Sequence, residues 1–182
     1  MNKKLLLITL FYCLPASAAM KLISPTFSHN ESIPTEYTCD GTNISPALIW
    51  SDAPENTQSF TLIVDDPDAS EEALAKSDRP AKPWVHWIVF NIPSTIDHID
   101  KNQGSSRAEA PFTYGSTDFG TQKWGGPCPP HGTHHYHFTL YALDTMLDLP
   151  AGATKEQVLN AMHGHILEQA TLIGTYQRKN NK

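Results

Sequence analysis

The chain has 182 residues, of which 18% are charged and 40% hydrophobic, and 13 Lys and Arg stand against 19 Asp and Glu. This composition excludes a disordered, collagen-like or nucleic-acid-coating protein, because those chains are poor in apolar residues, periodic in glycine or strongly basic. The length predicts one compact domain, and the 14 prolines and 10 glycines favour strands joined by loops.

The first nineteen residues have the three parts of a secretory signal. Lys3 and Lys4 form a basic start, Leu5 to Leu14 is an apolar run too short to span a bilayer, and Ala16 to Ala19 offers small residues for cleavage. We therefore expect a signal peptide over residues 1–19, with cleavage near Ala18 or Ala19, and a periplasmic or secreted product.

The exported product is expected to be a single domain over residues 20–182. Loss of Lys3 and Lys4 takes the formal net charge from −6 to −8, which disfavours nucleic acid and anionic membranes as partners. Cys13 is preceded by Tyr12, where processing of a lipoprotein signal needs a small residue, so no stable membrane anchor is expected.

Export leaves two cysteines, Cys39 and Cys128, in a compartment that permits disulfides. We therefore expect a disulfide between them, which would stabilise the fold by roughly 4 kcal/mol on the chain-entropy model. Two buried thiols, or a reactive Cys128, are the alternatives that the sequence leaves open.

Hydrophobic periodicity predicts three strands, over Ser59 to Asp66, Trp84 to Ile92 and His134 to Leu143. Leu172 to Tyr176 is a further strand candidate, although Gly174 interrupts it. The Pro- and Gly-rich connections favour two stacked antiparallel β-sheets.

Helical signals occur in two places. Ser70 to Pro83 contains a charged segment long enough for two helical turns before its prolines, and we interpret it as a solvated excursion. Thr154 and Gln157 form a capping-box pattern that begins a helix near the carboxyl end. Its apolar stripe is predicted to comprise Val158, Leu159, Met162 and Ile166.

Strand alternation indicates where polar side chains point. Asp66 ends the row of Phe60, Leu62 and Val64, and His86 is predicted to share a face with Trp84, Ile88 and Phe90. His134 shares a face with Tyr136 and Phe138.

Three strands thus direct Asp66, His86 and His134 toward apolar surroundings, where unpaired polar groups are costly. We expect these side chains to meet one another. The segment GGPCPPHG before the third strand would form a stiff rim, and together they predict a small anion-accepting pocket.

Other interpretations of these residues stay open. Each histidine could be a hydrogen-bonded core residue, and Asp66 and Asp68 could cap a turn. A metal site is a rival because His131, His134, His135 and His137 form a dense tract, yet alternation directs His135 and His137 away from His134. Nucleophilic catalysis has no motif to support it, since the sequence contains no G-x-S-x-G.

Five segments resemble the phosphatidylethanolamine-binding protein (PEBP) family, also called the Raf kinase inhibitor-like family, and particularly its bacterial branch. They are distributed between residues 37 and 176, a span that includes most of the chain after the signal. In order they are YTCDGTNISPALIW (37–50), DDPDAS (65–70), WVHWIVFNIP (84–93), DFGTQKWGGPCPPHGTHHYHFTLYALD (118–144) and HILEQATLIGTY (165–176).

The resemblance implies a sandwich of two antiparallel β-sheets with peripheral helices and a ligand pocket at one end. It also implies that the pocket accepts phosphate, phosphorylated head groups or similar small anions. The matching motif positions here are Asp66, Asp68, Trp84, His86, Pro129, Pro130, His134 and Tyr136. Two positions depart from the family pattern: Ser70 replaces a proline, and His135 replaces an arginine.

The function predicted from these features is anion binding without turnover, with no cofactor and no metal. The alternatives are a protein-interaction inhibitor of a protease or kinase, and a small-molecule phosphoesterase. The sequence leaves homodimerisation and any protein target open.

Overall fold

The computed structural model describes residues 18–69, 82–105 and 110–179, which contain nine β-strands and one α-helix. Most of the predicted signal peptide, and residues 70–81 of the predicted Ser70–Pro83 excursion, lie outside the described residues. The strands are β1 (Lys21–Ile23), β2 (Glu31–Ser32), β3 (Leu48–Ser51), β4 (Ser59–Asp66), β5 (Trp84–Pro93), β6 (His98–Ile99), β7 (Thr113–Tyr114), β8 (Thr133–Leu143) and β9 (Ile166–Gln177), and the helix is α1 (Lys155–Met162). In the part of the chain that the structure describes, no helix is long and apolar enough to cross a membrane.

The strands form two sheets, as predicted. A six-stranded sheet has the order β2-β9-β8-β4-β5-β7, and a three-stranded sheet has the order β1-β3-β6. The main core contains apolar side chains from both sheets, including Leu48 and Trp50 of the small sheet and Leu62 and Phe138 of the large one. The mainly β fold class is therefore confirmed.

One edge of the large sheet departs from the antiparallel prediction. The two-residue strand β2 pairs with β9 in parallel, with Glu31 opposite Gly174. Backbone bonds from Asn30 N–H to Ile173 C=O and from Ile33 N–H to Thr175 C=O extend this contact. A pairing this short leaves no periodic pattern in the sequence, so it was not predictable.

The side-chain faces predicted for β5 are only partly right, because the strand contains a β-bulge. Val64 pairs with Trp87 and Asp65 with Val85, so His86 is an extra residue with no counterpart in β4. Beyond the bulge, Trp87 faces the main core, whereas Ile88 and Phe90 face a second core on the other side of the sheet. Ile88 and Phe90 therefore do not share a face with His86.

Helix α1 covers the second core. It begins as predicted, since Thr154 accepts a hydrogen bond from Gln157 N–H and the Gln157 side chain accepts one from Thr154 N–H. Val158 and Met162 are buried, but Leu159 is exposed. The predicted continuation to Ile166 is wrong, because the helix ends at Met162 and Ile166 begins β9.

Strand β9 extends on both sides of the predicted Leu172–Tyr176 segment. Gly174 lies inside it rather than interrupting it. A Cβ atom at Gly174 would lie 2.5 Å from the Ile33 side chain and 2.8 Å from the Phe27 ring, so glycine allows these residues to pack onto the strand.

Candidate functional site

A cavity of about 210 Å³ opens where β4, β5 and β8 carry the predicted polar residues. Seven of the eight sequence-predicted site residues line it, and Asp68 does not. The lining residues are Asp66, Ala69, Trp84, His86, Phe119, Cys128, Pro129, Pro130, His134 and Tyr136.

Asp66 and His134 form a buried pair at the inner end of the cavity. The His134 ring donates from Nδ1 to Asp66 Oδ2 at 2.7 Å, and the other carboxylate oxygen accepts a hydrogen bond from Ala69 N–H at 3.1 Å. Asp66 is only 3% exposed and His134 only 4%, so water barely solvates the pair. Because both carboxylate oxygens are engaged, Asp66 is suited to hold the imidazole in position.

His86 is held by the cavity wall rather than by a carboxylate. Its Nδ1–H donates to the Gly125 carbonyl at 2.5 Å, and Gly125 N–H donates back to the His86 carbonyl at 3.1 Å. Burial lowers the pKa of His86, although Gly125 and the nearby carboxylates of Asp66, Asp65 and Asp118 oppose that shift. The ring is therefore neutral at neutral pH.

Tyr136 supplies a buried hydroxyl that makes no hydrogen bond of ordinary geometry with a described residue, although the Asp66 carboxylate and the Cys128 backbone lie close enough to affect its pKa. The side chain is 1% exposed, and its ring packs edge-on against His86 at 5.1 Å and stacks with His134 at 6.5 Å between ring centres. Burial raises the pKa of the phenol, and the Asp66 carboxylate adds to the effect, so the group stays protonated. A buried unpaired hydroxyl beside a cavity is a candidate ligand contact.

The rim segment is a wall without regular secondary structure, tied to the 37–43 segment. The predicted disulfide between Cys39 and Cys128 is present in the structure. Hydrogen bonds reinforce it, from Cys39 N–H to the Pro127 carbonyl at 3.1 Å and from Gly126 N–H to Asn43 Oδ1 at 2.8 Å. A Cβ at Gly126 would lie 2.4 Å from that same Asn43 oxygen, which explains the glycine.

Asp68 lies beside the cavity and binds His135 instead. Its Oδ2 accepts hydrogen bonds from His135 N–H at 2.7 Å and from the His135 ring at 2.8 Å. Partial burial raises the pKa of Asp68, but the two hydrogen bonds from His135, together with the electrostatic effect of His135 and His134, hold that pKa below its ordinary value. His135 points away from His134, as strand alternation predicts, and occupies this carboxylate.

The histidines at positions 131, 134, 135 and 137 do not converge on a common metal site. Among the described residues, no group of three or more His, Cys, Asp or Glu side chains is placed to hold a metal ion. Within the same described part of the chain, the cavity lining contains no serine, threonine or free thiol, since Cys128 is in the disulfide.

Comparison with known proteins identifies the family of this chain. The model of the family described as phosphatidylethanolamine-binding protein matches residues 23–177. The chain belongs to this family. A UPF0098 protein of Methanothermobacter thermautotrophicus is 47% identical over 160 residues, covering 87% of this chain and 99% of the relative. A UPF0098 protein of Chlamydia pneumoniae is 42% identical and covers 87% and 99%.

Two solved structures share the PEBP fold. A Chlamydia trachomatis protein described as a homologue of phosphatidylethanolamine-binding proteins is 39% identical, covers 88% of this chain and 99% of its own, and has a TM-score of 0.79. YbcL of Escherichia coli, described as a member of the mammalian PEBP family, is 29% identical, covers 89% and 100%, and has a TM-score of 0.76.

The PEBP resemblance and the strand pattern missed three lining residues, of which Phe119 is the most informative. Asp118 binds the start of β5 through Val85 N–H, at 2.7 Å from Oδ2, and this contact brings Phe119 against Trp84 and His86. Phe119 and Trp84 remain 45% and 41% exposed at the mouth. The loop that contains Phe119 has no hydrophobic periodicity, so the sequence pattern could not place the Phe119 ring at the cavity, and a three-dimensional structure was needed.

Proposed function

We propose that this chain binds a small oxyanion, such as phosphate or a phosphorylated head group, in the cavity, without turnover and without a cofactor. The observation that carries the proposal is the Tyr136 hydroxyl, which is buried and has no partner among the described residues. A ligand oxygen would accept its hydrogen and remove the cost of leaving it unpaired.

The other lining residues support an anionic ligand of limited size. His86 offers a ring nitrogen, and Asp66 holds the His134 ring in position in the lining. The exposed rings of Trp84 and Phe119 would form walls against the organic part of a phosphorylated ligand. A volume of about 210 Å³ suits a phosphate group with a short substituent.

We further propose that the protein is an exported member of the bacterial Raf kinase inhibitor-like branch. The basic, apolar and small-residue parts of residues 1–19 support export. The cavity lining supports binding without turnover. Among the described lining residues, the only hydroxyl beside a histidine is the phenol of Tyr136, and that phenol stays protonated.

Tyr136→Phe tests the proposal by calorimetric titration with inorganic phosphate. We expect the affinity to fall roughly tenfold, since a hydrogen bond to a charged ligand is lost, while the free energy of unfolding stays equal or rises. Tyr141→Phe is the matched control, because Tyr141 lies on the same strand and packs against the second core. Unchanged affinity in Tyr136→Phe, or in a His86→Ala/His134→Ala variant, would exclude the cavity as the phosphate site.

A further inference from the structure

The hydrogen on His86 is assigned by its neighbour. A backbone carbonyl can only accept, so the 2.5 Å contact with Gly125 requires the hydrogen on Nδ1. The return bond from Gly125 N–H fixes the ring relative to the wall. The second nitrogen, Nε2, lies on the opposite edge of a ring that lines the cavity.

Nε2 of His86 is therefore a hydrogen-bond acceptor at neutral pH. Burial keeps the ring neutral against the opposing carboxylates of Asp66, Asp65 and Asp118. The rings of Phe119 and Tyr136 pack against His86 at 5.3 and 5.1 Å, and no described residue donates to Nε2. A ligand that displaces water from Nε2 must therefore supply a hydrogen-bond donor to replace it.

Tyr136 has the complementary requirement. Its hydroxyl makes no hydrogen bond of ordinary geometry with a described residue, although the Asp66 carboxylate and the Cys128 backbone lie close enough to affect its pKa. A well-placed ligand oxygen would therefore improve its hydrogen bonding. One ligand satisfies both groups if it carries a bare oxygen for Tyr136 and an O–H for His86. Hydrogen phosphate and phosphomonoesters below full ionisation have both.

We infer that the cavity selects oxyanions that carry an acidic hydrogen, namely hydrogen phosphate and phosphomonoesters, over sulfate and phosphodiesters. The inference rests on the proposed function and narrows its ligand class. Sulfate and dialkyl phosphates have no O–H at neutral pH, so their oxygen lone pairs would face the lone pair of His86. The phosphodiester of an intact phospholipid is disfavoured for the same reason.

Calorimetric titration of the processed protein near neutral pH separates these ligands. The four probes are inorganic phosphate, methyl phosphate, dimethyl phosphate and sulfate. Sulfate matches the charge of the phosphate dianion and dimethyl phosphate that of the monoanion, so charge alone cannot explain rejection of both. We expect both to bind at least roughly tenfold more weakly than phosphate. Methyl phosphate is mostly without its O–H at neutral pH, so its affinity should rise as the pH falls toward its second pKa near about 6.

His86→Asn tests the role of the ring nitrogen. The asparagine amide can still donate to the Gly125 carbonyl, but it removes Nε2, so the ratio of phosphate to sulfate affinity should fall toward one. His165→Asn is the matched control, because His165 is exposed and pairs with Asp144, and its ratio should be unchanged.

A second measurement does not depend on the variant. The nitrogen chemical shift of His86 Nε2 in wild-type protein should be that of a bare acceptor, and phosphate should shift it to that of a hydrogen-bonded one. Wild-type protein that binds sulfate as tightly as phosphate, or a protonated Nε2 in the free protein, overturns the inference. Absence of phosphate binding overturns the proposed function instead, and the inference with it.

Discussion

At the residue scale, burial of His86 makes the stability of the protein depend on pH, whether or not a ligand is bound. Its ring is 3% exposed, and burial lowers its pKa below the ordinary value of 6.5. In the unfolded chain the same imidazole takes a proton as the pH falls through 6.5, whereas the folded chain resists until lower pH. The unfolded state binds more protons in that window, so the protein becomes less stable as the pH falls.

We therefore predict that the free energy of unfolding declines below pH 6.5, by up to about 1.4 kcal/mol per pH unit from this group. Urea unfolding at stepped pH measures the slope. His86→Asn should flatten it and His165→Asn should not. If the free energy of unfolding falls equally in wild type and His86→Asn between neutral pH and pH 5, the folded protein does not hold His86 as a neutral, buried imidazole.

Asp68 illustrates how the site could be only partly predicted from single residues. The family motif places it with Asp66, but the structure turns it to His135, through the backbone N–H and the ring together. The departure at His135, from the arginine usual in the family, is visible in the sequence. The pairing of His135 with Asp68 is not visible in the sequence, because the two residues are 67 positions apart along the chain.

At the element scale, the cavity wall depends on a contact between two irregular segments. The disulfide joins residues 89 apart, and the hydrogen bonds at Pro127 and Gly126 attach the same wall to the 37–43 segment. Cys128 itself lines the cavity, and Gly125 in the same wall holds His86. Loss of the bridge should therefore affect both stability and binding.

For Cys39→Ser/Cys128→Ser we predict a loss of roughly 4 kcal/mol in the free energy of unfolding, because the unfolded chain regains the entropy of a long loop. Phosphate affinity should fall as well, since the wall is less constrained. Urea unfolding and calorimetry measure the two effects, with reduced wild-type protein as the comparison. A variant with wild-type phosphate affinity would show that the remaining hydrogen bonds are sufficient to hold the wall.

The elements themselves were predictable to different degrees. Strand β8 alternates between buried and more exposed residues, and the capping box identifies the start of α1. Strand β4 has Phe60, Leu62 and Val64 at a spacing of two in the sequence, although nearly all of its residues are buried. The bulge at His86 was hidden because β5 is almost continuously apolar, so either face assignment fits the sequence. A local pattern cannot specify a register shift that arises from pairing with β4.

At the scale of the whole molecule, the residue that follows the predicted cleavage site is packed into the fold. Met20 is buried in the main core, and its backbone N–H donates to Glu168 Oε1 at 2.8 Å. Cleavage after Ala19 would convert this nitrogen into an ammonium group beside a carboxylate, which strengthens the bond.

We predict that protein recovered from the periplasm or medium of the producing cell begins at Met20. Intact mass and amino-terminal sequencing of that fraction measure the cleavage site. A variant with Leu6 and Leu7 changed to Asp should stay unprocessed in the cytoplasm, because its apolar run is interrupted. A full-length, unprocessed wild-type chain would contradict export by this route.

The sequence by itself determined the mainly β class, the two long alternating strands, the cysteine pair and the chemical types of the cavity residues. These properties follow from side-chain periodicity and composition, which are local. Only the tertiary structure decided that Gly125 assigns the hydrogen on His86, that Asp68 binds His135, and that the Tyr136 hydroxyl lacks a described partner. Each of these depends on which distant backbone or carboxylate meets the side chain, and sheet pairing, a bulge and a disulfide-linked wall determine that meeting.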